Sequence, residues 1–335
     1  GIGEISRNIN TNSIFPKIEL GYKIRSFSNH FEGRYANDRW IKHELFSEFR
    51  IKEKKVRYSP TQRLLIRALK IDDHRISGNS ILPLQSATQT AYYGQFKYSL
   101  ESKQVLKPKS LELSYTYGYD NENKRNLVSS LQLTGNYHLN YNRNLDAIKV
   151  RIFGGYNFNA FNGRYNLFIK GQDGYNDYLY DRTYLARNRS FPGTFSQQTS
   201  LTQGAFKTNC KQETDKWLFA SNFLLELPKL PLGLFLDLAS YYNAYDEYNV
   251  NTGLITRQEE TLFLYNAGIC LNIEINEKPL LGIYLPLIYS NEINNSYVAT
   301  QNQEKFSDLK LLQKITFVLN LNEINPFTIK KNIKP

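Results

Sequence analysis

The stretch Ser110-Leu-Glu-Leu-Ser-Tyr-Thr-Tyr-Gly-Tyr119 alternates apolar and polar residues without a break. Successive side chains of a β-strand point to opposite faces, so this pattern predicts a strand with one Leu- and Tyr-lined face and one polar face. The same alternation recurs at 127–139, 148–158, 263–275 and 315–321. Soluble sandwiches alternate too, but strongly polar faces, strands of about ten residues or more and aromatic strand ends together favour a membrane barrel.

The composition is compatible with a barrel and disfavours several other classes of protein. The 335 residues include 25 Tyr and 20 Phe, the formal net charge is +11 and the mean hydropathy is −0.51. No run of apolar residues is long enough to predict a transmembrane helix, but hydropathy is insensitive to strands that line a wet lumen. Lys and Arg are dispersed along the chain, so no nucleic-acid partner is expected.

Two features concern processing and redox state. The chain begins at Gly1 and contains no Met, so we expect a signal and further residues upstream in the parent protein. Cys210 and Cys270 are too few for a disulfide framework, and the sequence leaves open whether they pair.

The alternation predicts an all-β, antiparallel outer-membrane barrel of about twelve transmembrane strands. The expected strands are 17–27, 40–52, 61–71, 87–101, 109–119, 127–141, 147–159, 216–227, 232–244, 261–275, 279–290 and 309–321. An even count would return both termini to the periplasm. We expect one barrel domain, 16–335, preceded by a tether, 1–15, from the upstream portion.

The connections between the expected strands fall into a short set and a long set. The short connections are 53–60, 102–108, 142–146, 228–231 and 276–279, and most contain proline. The long ones are 28–39, 72–86, 120–126, 162–215, 246–260 and 291–308. Outer-membrane barrels have short periplasmic turns and long extracellular loops, so the long set is predicted to be extracellular.

No motif predicts chemistry on this chain. The four histidines, His30, His43, His74 and His138, have no metal-ligand spacing, and Gly171-Gln-Asp-Gly174 lacks the lysine of a phosphate loop. We therefore predict no catalytic, cofactor-binding or metal-binding residue here. The charged residues expected to line the lumen are Lys97, Glu112, Lys149, Arg151, Glu274, Lys310 and Lys314.

The connection 162–215 is far longer than an ordinary loop, and loops of that length are usually functional or disordered. Its aromatic, mixed-charge content favours an ordered segment, either a surface loop that shields the barrel mouth or a plug or docking surface. The candidate docking residues are Tyr175, Tyr178, Tyr180, Tyr184, Arg187, Phe195, Gln197 and Phe206.

Several motifs carry a resemblance to a known family. The stretch Asn162-Gly-Arg-Tyr-Asn-Leu-Phe-Ile-Lys-Gly-Gln-Asp-Gly-Tyr-Asn-Asp-Tyr-Leu-Tyr-Asp181 is followed in order by 184–187, 195–198, 204–207, 283–287 and 315–327. Together they resemble the C-terminal regions of large Bacteroidota proteins of the M1 metallopeptidase-like family. The resemblance implies a zinc aminopeptidase-like portion upstream of an outer-membrane barrel. Its H-E-x-x-H zinc motif is absent from this chain, so no catalytic residue is carried over.

Three functions follow as hypotheses. The first is a membrane anchor and docking scaffold, in contact with outer-membrane lipid, lipopolysaccharide and other outer-membrane or periplasmic proteins. The second is a narrow or plugged transport pore for small or anionic solutes. The third is a hydrolase with its site in the barrel mouth, for which the sequence offers no Ser-His or Asp-His constellation.

Overall fold

The structure is a computed structural model. It describes residues 2–11, 14–28, 39–51, 59–77, 85–102, 104–142, 146–174, 176–184, 197–228, 230–248, 255–275, 278–295 and 305–319. No helix among these residues is long and apolar enough to cross a membrane.

The described chain is all-β, with two helices of at most five residues. The long strands are β1 Ile2–Asn10, β2 Lys17–Ser28, β3 Arg39–Arg50, β4 Thr61–Ser77, β5 Gln85–Ser102, β6 Lys109–Asp120, β7 Arg125–Asn140, β8 Ala147–Ala160, β12 Trp217–Glu226, β13 Leu232–Tyr248, β14 Ile255–Ile275 and β15 Lys278–Tyr289. The short elements are β9 Leu167–Phe168, β10 Gln198–Thr199, β11 Glu213–Thr214, β16 Thr316–Leu319, α1 Asn291–Asn295 and α2 Leu311–Lys314.

One 14-stranded sheet contains all strands except β9 and β11. Its order is β1-β2-β3-β4-β5-β6-β7-β8-β12-β13-β14-β15-β16-β10, and every pair is antiparallel except the last. Strands that follow one another along the chain are thus neighbours in space, apart from the residues inserted between β8 and β12. The prediction of a large antiparallel all-β architecture is confirmed.

The two faces of this sheet have opposite polarity, and the exposed face is the apolar one. Two adjacent rows of cross-strand partners on β4 to β8 illustrate this arrangement. The outer row is between 38% and 47% exposed and consists of Ile66, Phe96, Tyr115, Leu131 and Tyr156. The inner row is at most 9% exposed and consists of Arg67, Gln95, Thr116, Ser130 and Asn157. A water-soluble protein places polar residues outside, so the surface of this sheet is inverted.

Each of the twelve predicted strands overlaps an observed strand, but several ends differ and the last overlap is limited to Thr316–Leu319. β4 ends at Ser77 and β5 begins at Gln85, so the connection between them is shorter than predicted. The connection between β13 and β14 is also shorter, because β13 ends at Tyr248 and β14 begins at Ile255. The antiparallel ladder continues beyond the apolar alternation in these strands because polar residues also pair across it. Thr90, for example, donates a hydrogen bond to Asp72 at 2.7 Å.

Two predictions at the chain ends require correction. Residues 2–10 of the expected tether form β1, because all nine pair in register with β2. Of the expected strand 309–321, only Thr316–Leu319 is a described strand. Residues 311–314 are helical instead, and the Gln313 side chain accepts a hydrogen bond from the Lys310 backbone at 2.8 Å.

The structure adds β1 to the twelve predicted strands. Ile2 lies at the end of the sheet that carries the long connections, whereas β16 runs from that end toward the opposite end. The described residues do not decide the number of strands in a closed barrel or the side on which each terminus lies, so both stay predictions. Within those residues β1 pairs with β2, and β16 pairs with β15 and β10, so closure into a barrel stays a prediction.

Candidate functional site

The segment between β8 and β12, residues 162–215, is called the inserted segment below. Its described residues, 162–174, 176–184 and 197–215, fold back across the polar face of the sheet. Its two arms are joined by the pairing of β9 with β11 and by a bridge between Lys170 and Phe206. Gly171 and Gly204 allow the backbones to approach closely, since a Cβ atom at Gly171 would lie 1.9 Å from the Ser200 carbonyl oxygen. The inserted segment is thus a compact unit rather than an open loop.

One half of the inserted segment packs through apolar residues. Leu167, Ile169, Phe206 and Cys210 are at most 1% exposed and join a core with side chains of β8, β12, β13 and β14. Burial raises the pKa of the Cys210 thiol to about 12, so the thiol stays protonated near neutral pH and is a poor nucleophile.

The other half packs through a cluster of tyrosines. Tyr165 and Tyr178 have ring centroids 5.0 Å apart, and the Tyr165 hydroxyl lies 3.1 Å from that of Tyr93 on β5. Tyr180 stacks on Trp40 of β3 at 4.3 Å. The Tyr180 hydroxyl also donates to Asp73 at 2.9 Å. Aromatic side chains of the inserted segment therefore cover the sheet from β3 to β5.

A charged cluster holds the same half of the segment and is named the Asp181 cluster. The Asp181 carboxylate lies 2.5 Å from Lys42 Nζ and 2.5 Å from Arg67 Nη2. Glu44 completes the cluster, at 3.2 Å from Lys42 and 3.5 Å from Arg67. Burial alone would raise the pKa of the Asp181 carboxyl, but the charges of Arg67 and Lys42 hold it well below its ordinary range. Asp181 is therefore ionised throughout the physiological range.

A second charged cluster, the Lys207 cluster, joins the apolar half of the segment to β13. Lys207 Nζ lies 2.6 Å from Asp237 Oδ1, and these two side chains are only 4% and 0% exposed. Asp237 also accepts from the Lys207 backbone at 2.9 Å and from Asn222 at 3.0 Å. Thr316 on β16 donates to the Lys207 carbonyl at 2.8 Å. The Asp237 carboxylate therefore accepts hydrogen bonds at both of its oxygens, which helps to offset the desolvation cost of the buried pair.

A cavity of about 420 Å³ separates the inserted segment from the inner faces of β4 to β7. Its lining is polar, and Leu179 is the one aliphatic residue among the residues described around it. The wall contributes Arg67, Gln95, Lys97, Glu112, Ser114, Thr116 and Gln132. The inserted segment contributes Gln172, Asp177, Tyr178, Leu179, Asp181, Arg182, Thr202 and Gln203. This cavity and the two charged clusters form the candidate site.

The structure places the candidate residues of the inserted segment as follows. Tyr178, Tyr180, Tyr184, Gln197 and Phe206 are all buried, at 9% exposure or less. Tyr184 donates to the Gln172 carbonyl at 3.2 Å, and Gln197 donates to the Gln313 carbonyl at 2.9 Å. Three further candidates, Tyr175, Arg187 and Phe195, lie outside the described residues.

Five of the seven predicted lumen charges lie on strands. Lys97 and Glu112 pair at 2.9 Å and line the cavity. Lys149 pairs with Glu226, and Arg151 donates to Asn222 at 3.0 Å, also on the polar face. The side chain of Glu274 lies outside the described residues.

Lys310 and Lys314 require correction, because they are not on a strand wall. Lys310 immediately precedes α2 and Lys314 lies in it, where Lys314 donates to the Ser307 carbonyl at 2.7 Å. The sequence Leu309-Lys-Leu-Leu-Gln-Lys314 has adjacent leucines, which break the alternation of a strand.

Sequence analysis missed the residues that hold the inserted segment in place: Lys42, Arg67, Asp181, Lys207 and Asp237. The only sequence signal was weak. Asp237 interrupts the apolar run 234–238, and a carboxylate on a polar strand face needs a partner when it is buried. Nothing in the sequence indicates that this partner is Lys207.

No group of three potential metal ligands occurs among the described residues. The His43 side chain is hydrogen-bonded through Nδ1 to the Tyr22 hydroxyl at 2.6 Å in an exposed position. Neither observation points to a metal or a general base.

Comparison with known proteins identifies no family. No family model and no curated protein matches the chain, so the M1-like resemblance stays a prediction. Among solved structures, the chain is similar to the siderophore receptor PirA from Acinetobacter baumannii, with 8% identity and a TM-score of 0.35. The match covers 85% of this chain and 43% of the receptor, so the chain spans less than half of that protein's length. Nothing about the function of this chain follows from similarity at that level.

Proposed function

We propose that this chain forms an outer-membrane β-barrel for transport, whose polar lumen is closed by the inserted segment. The observation that carries the proposal is the inverted sheet, with apolar side chains outside and buried ion pairs inside. A closed barrel satisfies every backbone hydrogen bond without an exposed edge, which a bilayer requires.

The inverted surface supports a lipid environment for the outer face. The outer row from Ile66 to Tyr156 is about 40% exposed at every position, and similar residues continue on β12 to β14, such as Phe219, Leu234 and Phe263. In contact with water, this broad apolar surface would cost about 25 cal/mol of free energy per Å². Contact with lipid removes that cost. A tilted strand needs about 9–11 residues to cross a bilayer, and β6 has 12.

The inserted segment supports closure of the lumen rather than an open pore. It is bound to β3 and β4 through the Asp181 cluster and to β13 through the Lys207 cluster. These contacts lie on two separated parts of the sheet, so the segment spans the polar face between them. Solutes that pass along this face must displace the segment or use the cavity beside it.

Conductance across planar bilayers tests the proposal. The full chain is compared with a variant in which 172–203 is replaced by a short glycine linker, since the Lys170–Phe206 bridge keeps those ends adjacent. We expect the full chain to conduct poorly and the deletion variant to conduct several-fold better. Equal conductance of the two proteins would refute closure by the segment. Failure of both to insert into bilayers would refute the membrane barrel.

The other two hypotheses from the sequence stay predictions. Anchoring of an upstream zinc peptidase-like portion depends on the family resemblance. Hydrolysis in the barrel mouth depends on a catalytic constellation, and the candidate site described above supplies none to support it.

A further inference from the structure

We infer that the cavity between the inserted segment and β4 to β7 binds a neutral polyhydroxylated solute, of the size of a mono- or disaccharide. The inference rests on the proposed function and specifies the solute class for which the barrel is built. The cavity volume of about 420 Å³ lies within the range of about 300–1,000 Å³ that is common for small-molecule sites.

The balanced charge of the lining favours a neutral solute over an ionic one. Three cationic and three anionic side chains face the cavity, so their formal charges cancel: Arg67, Lys97 and Arg182 against Glu112, Asp177 and Asp181. The charges are also bound to protein partners. Lys97 pairs with Glu112 at 2.9 Å, and Arg67 pairs with Asp181 at 2.5 Å. Asp177 accepts from the backbone of Asp181 and Arg182 at 3.2 and 3.0 Å. An anion that entered the cavity would have to compete with these carboxylates for the cations, because Arg67 and Lys97 are already paired with Asp181 and Glu112.

The neutral lining has the hydrogen-bonding character of a polyol site. Four glutamines and three hydroxyl residues face the cavity: Gln95, Gln132, Gln172, Gln203, Ser114, Thr116 and Thr202. A glutamine amide presents a donor beside an acceptor, and a hydroxyl group can serve as either. A vicinal diol matches that pattern, since each of its hydroxyls donates and accepts. A carboxylate only accepts, so it would leave the Gln132 carbonyl oxygen, which accepts nothing within the described protein, without a donor.

Part of this hydrogen-bonding capacity is unused by the protein. In the described part of the chain, the Ser114 hydroxyl has no hydrogen-bond partner. Gln132 donates to Ser130 at 3.2 Å but accepts nothing through its carbonyl oxygen. Gln203 accepts from the Phe168 backbone at 2.7 Å, and its amide nitrogen has no partner among those residues. These three groups belong to two strands and the inserted segment, so a ligand could contact both sides of the cavity at once.

Calorimetric titration of the full chain in detergent tests the inference. The probes are lactose and lactobionate, which forms when the reducing end of lactose is oxidised to a carboxylate and that ring opens. We expect saturable lactose binding and much weaker lactobionate binding. Absence of lactose binding, or tighter binding of lactobionate, would overturn the inference.

Variants locate the binding site. Gln132→Leu is expected to weaken lactose binding about three- to tenfold, the equivalent of one hydrogen bond. Its control is Asn136→Leu, on the same strand and the same face, which also loses one hydrogen bond to a serine but does not line the cavity. Ser114→Ala removes no hydrogen bond within the described protein and should also weaken binding. Equal effects of Gln132→Leu and Asn136→Leu, or full affinity in Ser114→Ala, would place the ligand elsewhere and overturn the assignment.

The binding assay needs no membrane, so it fails independently of the proposed function. A chain that shows segment-dependent conductance but no lactose binding refutes the solute class alone. A chain that binds lactose but never inserts into bilayers supports the cavity as a sugar site and refutes the transport barrel.

Discussion

Replacing Asp181 with Asn should loosen the inserted segment without unfolding the sheet. The substitution removes the charge that faces Lys42 and Arg67, whose side chains are only 1% and 8% exposed. Removing one partner of a buried pair costs about 3–5 kcal/mol when the other charge is left alone. Here Glu44 still faces both cations, at 3.2 and 3.5 Å, and the Asp181 side chain is 35% exposed. We therefore expect a smaller cost of about 2 kcal/mol for local opening, below that full penalty.

Hydrogen exchange measures this opening directly. The amides of Tyr178, Tyr180, Asp181 and Arg182 are all hydrogen-bonded within the inserted segment, so their exchange requires it to open. A cost of about 2 kcal/mol corresponds to about thirtyfold faster exchange in a peptide that covers 176–184. Peptides from β13 should exchange as in the original chain, because the Lys207 cluster is intact.

Glu4→Gln is the matched control, because it removes the same charge from an exposed pair with Lys23 at 3.3 Å. Such surface pairs contribute about 0–1 kcal/mol, and Glu4→Gln should leave exchange in 176–184 unchanged. The reasoning is refuted if Asp181→Asn accelerates that peptide less than about threefold, or accelerates the whole chain equally.

Three further predictions concern the other charged cluster, acidity and the apolar face. Asp237→Asn should lower the free energy of unfolding by about 3–5 kcal/mol, since both partners of the Lys207–Asp237 pair are buried. Urea titration measures this change, and a loss as small as that of Glu4→Gln would contradict the prediction. Because the pKa of Asp181 lies below its ordinary value of 3.8, its stabilising contribution is present above that value and is lost only as the pH falls through the lower, folded-state pKa. Protection of 176–184, corrected for intrinsic exchange, should therefore be equal at pH 7 and pH 5, and a marked loss at pH 5 would count against the assignment. Leu133 lies on the exposed apolar face. Leu133→Arg should lower the free energy of unfolding in bilayers by about 2–4 kcal/mol, whereas Leu133→Phe should be nearly neutral. Equal folding yields of the two variants in vesicles would argue against lipid contact.

Local alternation was enough to locate most of the sheet. The period of two depends only on neighbouring residues, so stretches such as 110–119 and 147–159 correspond closely to β6 and β8. β1 was missed because its side chains do not alternate, with Gly3 and Arg7 on the same face as Ile5 and Ile9. Its ladder with β2, from Ile2 opposite Arg25 to Asn10 opposite Lys17, supplies the backbone hydrogen bonds that the side-chain pattern does not reveal.

The candidate site was predictable only in outline. The aromatic content of 162–215 directed attention to Tyr178, Tyr180 and Phe206, which are buried in the structure, but their role as docking residues stays a prediction. The sequence analysis left open whether this segment shields the mouth or fills the lumen. The described residues of the segment lie across the polar face, and this observation supports the proposal that the segment fills the lumen.

The sequence by itself determined the all-β class, the positions of most strands and the opposite polarity of the two faces, because each is a property of adjacent residues. The tertiary structure alone decided which charges meet. Asp181 contacts residues 139 and 114 positions earlier in the chain, and Asp237 contacts Lys207 across 30 positions. A strand pattern shows that a charge faces inward but not what stands opposite, since that depends on sheet register and on the path of the inserted segment. The cavity follows from the same two variables, because it is the space that remains between β4 to β7 and the segment that covers them.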